Sequence, residues 1–326
     1  MMRRRYRATG ADGPFGDPRR AHGVAMEGYY WRFTEPRSGR VVVALCGVNA
    51  APDGRWATVA LVGHPGRFLR DAALQRAGAD EHRLGAWANG SGEFAADARR
   101  VRLDLGPGAR IEARIDDAHG WPRRPFGGLG VAHVVPGLGQ YWHPHVLGGR
   151  ATGAAVLGDE VVDLDGATVY AEKNWGRGGF PDRWWWGQAH GFADADVCVA
   201  FAGGSVTLGP VSTTATAIVV RLGDEVVRLG DPLLSPVRAE VGDRGWRLRG
   251  RGPRWSVEVE ADADPAEAHA LPVPVPAERR NVHAAHQHLA GRLRLVVRHG
   301  RRVAFTGESG LAGLERGTLD PTGGPP

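Results

Sequence analysis

Apolar and polar residues alternate with a period of two along most of this chain, and the 3.6-residue period of an amphipathic helix is nearly absent. The alternation predicts strands over residues 40–48, 56–62, 101–104, 110–115, 153–157, 184–190, 197–202, 215–222, 246–248, 255–261 and 291–298. Turn signals separate them: PDG at 52–54, GPG at 106–108, GD at 158–159 and 223–224, and HG at 299–300. One window, 65–76, carries helical spacing, with apolar Phe68, Leu69, Ala72 and Ala73. The pattern predicts an all-β protein of barrel or sandwich character, with few short helices.

The two halves echo each other. MEGYYWRF at 26–33 places Glu27 before aromatic strand residues, and AEKNWG places Glu172 similarly 145 residues later. Two hairpin-like stretches, 153–167 and 291–309, share a strand–turn–strand pattern and close each half. A duplicated β-barrel accounts for both echoes: residues 1–165 with a loose N-terminal tail, then residues 166–326.

Composition adds several constraints. With 42% apolar and 24% charged residues, the 326-residue chain is that of a folded protein with a sizeable core. The net charge of +5 is spread among Asp and Glu, and basic and aromatic residues do not interleave, which argues against a nucleic-acid partner. The one dense basic cluster, Arg3 to Arg7, reads as a loose tail. Of 41 basic residues only Lys173 is a lysine; where Arg serves every other cation, that is either chance or a position that needs an ammonium. Cys46 and Cys198 sit in apolar runs and read as buried thiols of a reducing compartment. The N-terminus shows no secretory h-region and no apolar run reaches 18 residues, so a cytoplasmic location is expected, with peripheral membrane contact left open.

Chemistry concentrates in residues 170–188, YAEKNWGRGGFPDRWWWGQ. Glu172, flanked by Tyr170 and Trp175, could be a carboxylic acid kept protonated by apolar surroundings. Strand alternation turns Lys173 to the opposite face, and an ion pair or hydrogen bonds tying barrels together is the structural alternative for both. Five of the 11 tryptophans fall at Trp142, Trp175, Trp184, Trp185 and Trp186. Alternation puts Trp184 and Trp186 on one face, so they either line a ligand wall or simply pack. Asn174 and Gln188 could orient a ligand oxygen or cap the turn at 176–179. Glu27 is a second acid or a structural partner. His143 and His145, together with His283, His286 and His288, are a rival signal for a metal, and His143 could equally act as a base.

EGYYWRF at 27–33, YWHP at 141–144, the run ATG…DLDGA…YAEKNWG…GFP at 151–181, WWWGQ at 184–188 and the strands at 291–311 resemble the tocopherol cyclase family. Tyr29 departs from the family's usual Trp, as do Gly187 and Ala189-His190 from its continuation of the tryptophan-rich strand. The resemblance implies two lipocalin-like antiparallel β-barrels in tandem and closure of a chromanol ring, in which a phenol oxygen adds to a prenyl alkene without cofactor or metal. For such a reaction the catalytic candidates are Glu172, Lys173, Asn174 and His143. The candidates for binding a hydrophobic prenylated aromatic molecule are Glu27, Tyr30, Trp142, Tyr170, Trp175, Trp184, Trp186 and Gln188. A hydratase or cyclase of another isoprenoid, and a non-catalytic carrier of lipophilic ligands, are the alternatives.

Overall fold

The structure, a computed structural model, describes residues 9–11, 23–194, 196–208 and 211–319; the basic cluster at 3–7 lies outside them. Two large antiparallel sheets follow one another along the chain. The first runs Phe68–Leu74 (β4), Gly54–His64 (β3), Arg40–Ala51 (β2), Met26–Glu35 (β1), Thr168–Gly176 (β13), Arg150–Leu157 (β11), Ala109–Asp116 (β9), Arg100–Asp104 (β8), Glu93–Asp97 (β7), Gly85–Asn89 (β6), Arg76–Ala79 (β5). Tyr141–Val146 (β10) also pairs with β13, and Glu160–Asp163 (β12) with β11. The second runs Glu225–Leu229 (β17), Val211–Leu222 (β16), Val197–Leu208 (β15), Arg183–Ala189 (β14), Arg302–Thr318 (β23), Arg280–His299 (β22), Trp255–Asp262 (β20), Gly245–Arg251 (β19), Val237–Val241 (β18). His269–Val275 (β21) pairs with β22. Helix is confined to three short 3-10 turns among the described residues.

Each sheet curls until strands near its two ends approach, β5 against β3 and β18 against β16, but no ladder joins them and neither sheet closes. Inside each curl lies an apolar core, the first around Trp31, Phe33, Val59, Leu103 and Ile111, the second around Trp185, Phe201, Trp246, Val259 and Leu295. This is the all-β architecture expected from the alternation, and the lipocalin-like tandem that the family resemblance implies, with sheets that stay open.

Position in the sheet decides how regular the alternation is. The outer strand β9 buries Ala109, Ile111, Ala113 and Ile115 and turns Arg110, Glu112 and Arg114 to solvent. The central strands β1, β2, β3 and β13 are covered on both faces, by their own core and by the other sheet, so they read as continuous apolar runs such as VVVALCGV. The same effect explains the window at 65–76, which is not a helix but contains β4. Phe68 and Ala72 pack on the first core while Leu69 packs between the sheets, and apolar residues on both faces of a strand imitate helical spacing.

The strand Thr168–Gly176 lies beyond the expected division at 165/166 yet pairs inside the first sheet, beside β1 over nine positions. The chain passes to the second sheet between Gly176 and Arg183. Glu27 and Glu172 therefore sit on neighbouring strands of one sheet, so their echo does not mark equivalent places in two units.

Candidate active site between the two sheets

Residues directly opposite in an antiparallel pair share a face. The pairs Tyr30–Glu172, Arg32–Tyr170 and Gly28–Asn174 put these side chains on the outer face of the first sheet, toward the second. From the second sheet, Trp184, Trp186 and Gln188 of β14 face them, beside Gly317, Glu315 and Gly313 of β23. Trp142 of β10 joins from the flank through its pairing with Asn174.

The centre of this seam is Glu172. One of its oxygens, Oε2, accepts from Trp142 Nε1 at 2.7 Å, from the Tyr170 hydroxyl at 2.5 Å and from Trp186 Nε1 at 2.8 Å. Burial pushes the carboxyl up to about 7, against the pull of these three donors, which favour the carboxylate. Among the described residues none donates to the other oxygen, Oε1. Protonated at Oε1 and stabilised as an anion at Oε2, the group is poised to give up a proton near neutral pH.

A second carboxyl faces it. Glu315 accepts from Trp184 Nε1 at 2.7 Å and from Gln287 Nε2 at 2.8 Å, and Gln287 Oε1 accepts from the Tyr30 hydroxyl at 3.2 Å. Burial raises Glu315 as well, held back by those two donors, and its charge contributes to the rise at Glu172. Tyr30 stands between the two acids with its ring edge-on to Trp186 at 5.1 Å. Unlike its buried neighbours Tyr29 and Trp31, it keeps some accessible surface. Packed apolar residues flank the seam, Leu45, Leu271 and Leu311 on one side, Leu147, Ala200 and Val219 on the other.

Glycines make room for the rings. A Cβ at Gly317 would lie 1.8 Å from Trp184, one at Gly313 would lie 3.0 Å from Trp186, and one at Gly28 would lie 1.9 Å from Asn174 Oδ1.

Of the sequence candidates, Tyr30, Trp142, Tyr170, Glu172, Asn174, Trp184, Trp186 and Gln188 meet on this seam. Lys173, Glu27, Trp175 and His143 do not. Lys173 Nζ is buried inside the first curl, 3.1 Å from Glu27 Oε2 and 5.1 Å from the Tyr29 ring centre. Arg55 reaches the same carboxylate at 3.5 Å. Trp175 stacks on Tyr141 and donates to Gly10 O at 2.8 Å. His143 pairs opposite Lys173, accepts from Gly128 N at 2.9 Å and packs on Trp121. The two histidine groups do not converge: His143 belongs to the first sheet, whereas His283 lies on β22 beside Asp71. Among the described residues no three His, Cys, Asp or Glu side chains are placed to hold a metal.

Sequence reasoning missed Glu315, Gln287 and Arg32. A signal existed for the first: on a strand, Gly313, Glu315 and Gly317 share one face, and an acid between two glycines has room for large neighbours.

Two curled antiparallel sheets holding a buried, donor-rich carboxyl in an aromatic seam define a lipocalin-like tandem of open sheets with an acid between its halves. The family profile described as tocopherol cyclase-like matches residues 108–318, and the chain belongs to that family. A chloroplastic tocopherol cyclase of Zea mays is 28% identical over 159 residues, 46% of this chain and 33% of that one. A probable tocopherol cyclase of Oryza sativa subsp. japonica matches to the same extent. The match spans about a third of the length of these relatives. Among solved structures, CghA in complex with Sch210972 superposes with a TM-score of 0.61 at 13% identity, covering 91% of this chain and 89% of that one. Kievitone hydratase from Nectria haematococca superposes with a TM-score of 0.53 at 12% identity, covering 90% and 88%. At these identities the structures share the fold. No helix among the described residues is long and apolar enough to cross a membrane.

Proposed function

We propose that the protein is a cyclase that closes a carbon–oxygen ring in a prenylated phenol or hydroquinone, with Glu172 as the acid. The observation that carries this reading is the convergence of three donors on one oxygen of a carboxyl buried among aromatic faces. Membership of the tocopherol cyclase-like family supports it.

The steps balance without a co-reactant. Glu172 Oε1–H gives its proton to the less substituted carbon of the prenyl alkene, and the electron pair of that double bond forms the new C–H bond. The charge left on Oε2 is met by Trp142, Tyr170 and Trp186, donors already in place before the proton leaves. The tertiary cation lies against the faces of Trp186, Trp142 and Tyr30, where a desolvated ring contributes about 2 kcal/mol. The phenol oxygen then attacks the cation, and its proton returns to the Glu172 carboxylate. Substrate and product are isomers. Asn174, half-buried on the same face, orients the ring oxygen.

Incubating the purified protein with a prenylated hydroquinone tests this. A product of unchanged mass that has lost the alkene signal is expected. A product heavier by one water replaces the cyclase with a hydratase, and a ligand that binds unchanged leaves a carrier.

A further inference from the structure

Arg32 is fully buried on the same face as Tyr30, one alternation step along β1 and opposite Tyr170. Its Nη2 donates to the carbonyl oxygens of Leu289 at 2.8 Å and Leu311 at 2.6 Å, both in the second sheet. Nε and Nη1 are buried and have no partner of hydrogen-bonding geometry among the described residues. Nor does any carboxylate there reach ion-pair distance of the guanidinium.

A buried cation that keeps its charge without a counter-ion is costly, because neither water nor an anion compensates the lost hydration. The neighbours do not supply one. The Tyr30 hydroxyl lies beside the guanidinium, but burial raises its ionisation well above the ordinary range. Burial likewise pushes the Cys198 thiol up to about 12 and the His190 imidazole down to about 3, so both are neutral. Two more polar atoms on this side are also unpartnered, Gln188 Oε1 and His190 Nδ1. At the strand opposite, Gly313 leaves room for both the guanidinium and Trp186: a Cβ there would lie 3.3 Å from Nη1.

We propose that Arg32 is the anchor for an anionic oxygen of the ligand, so that the substrates of this seam are prenylated aromatic molecules bearing a carboxylate or an equally acidic oxygen rather than neutral lipids. This rests on the seam being the reaction site and names the class of molecule it takes. The planar guanidinium suits a delocalised oxyanion, and its N–H bonds toward such a group are charge-assisted. The acid of Glu172 and the anchor of Arg32 then address opposite ends of one ligand, with Tyr30 and Trp186 between them.

The test is a titration of tryptophan fluorescence at pH 6 with a prenylated 4-hydroxybenzoate, ionised there, and with its methyl ester, which has nearly the same shape without the charge. The acid is expected to bind about tenfold more tightly, the equivalent of one charge-assisted hydrogen bond. In Arg32→Gln the preference falls to about twofold or less, and in Arg32→Lys part of it returns. Equal binding of acid and ester by the native protein overturns the proposal, and this arm needs no variant, so a failure of Arg32→Gln to fold does not blunt it. Preference for the acid with neither compound converted upholds the anchor and removes the cyclase; conversion of the ester with no preference does the reverse.

Discussion

At Glu172 two opposing effects set the acidity: burial raises it, and three donors on a single oxygen pull it back to about 7. A general acid works in its protonated form, so turnover is expected to be constant at low pH and to fall about tenfold per pH unit above 7, read from initial rates. Glu172→Gln removes the proton but keeps the size and an acceptor oxygen; it is expected to abolish turnover, about 1,000-fold or more, with ligand binding retained. The same residue affects stability in a definite direction. The folded carboxyl holds its proton up to about 7, whereas an ordinary glutamate loses it near 4.5, so the folded state binds more protons between those values and stability falls as pH rises through that window. The loss is on the order of 3 kcal/mol, and urea midpoints at pH 5 and pH 8 should converge in Glu172→Gln. The sequence made Glu172 a candidate through its aromatic neighbours. It could not show Trp142 and Trp186 as donors, because those come from strands 30 residues before it and 14 after it.

The strand Arg183–Ala189 shows how an element divides its side chains. Alternation predicted that Trp184 and Trp186 face one way and Trp185 the other. In the structure Trp184 donates to Glu315 and Trp186 to Glu172, while Trp185 packs in the second core. Two substitutions across this ladder should move the pH profile in opposite directions. Trp186→Phe removes a donor to the carboxylate, so the inflection is expected to rise by about one pH unit. Glu315→Gln removes a like charge, so the inflection is expected to fall. Parallel shifts, or none, in rate–pH profiles would detach Glu172 from the rate. On β13 the alternation also separates Lys173 from Glu172, and its partner proved to be Glu27. Breaking this buried pair with Lys173→Met is expected to cost about 3 kcal/mol in denaturant unfolding while leaving the inflection in place, because it takes the nearer of two cations from a buried carboxylate on the far face.

Over the whole molecule, the seam exists only because one sheet lies against the other. The strand Thr168–Gly176 belongs to the first sheet by nine register pairs with β1, so the N-terminal unit extends past residue 165. A fragment ending at residue 179 contains each strand of that sheet, whereas one ending at 165 lacks the strand between β1 and β11. The longer fragment is expected to unfold cooperatively when followed by circular dichroism, and the shorter one to show no transition. Equal behaviour of the two would move the boundary back.

Period-two alternation, turn residues and the aromatic run at 170–188 were enough to make this chain all-β and to single out Glu172, Tyr170, Trp184 and Trp186. Those properties are local, since a strand's two faces follow from backbone geometry alone. What lies across each face is not local. That Glu172 meets Trp142 and Trp186, that Lys173 meets Glu27, that Arg32 is buried beside Tyr30, and that Glu315 completes the seam were decided by the packing of two sheets whose contacting residues are up to 279 positions apart. The strand β4 makes the same point from the other side. Its apolar spacing imitated a helix because apolar residues on both its faces are partly covered, and only the tertiary structure says what covers each face.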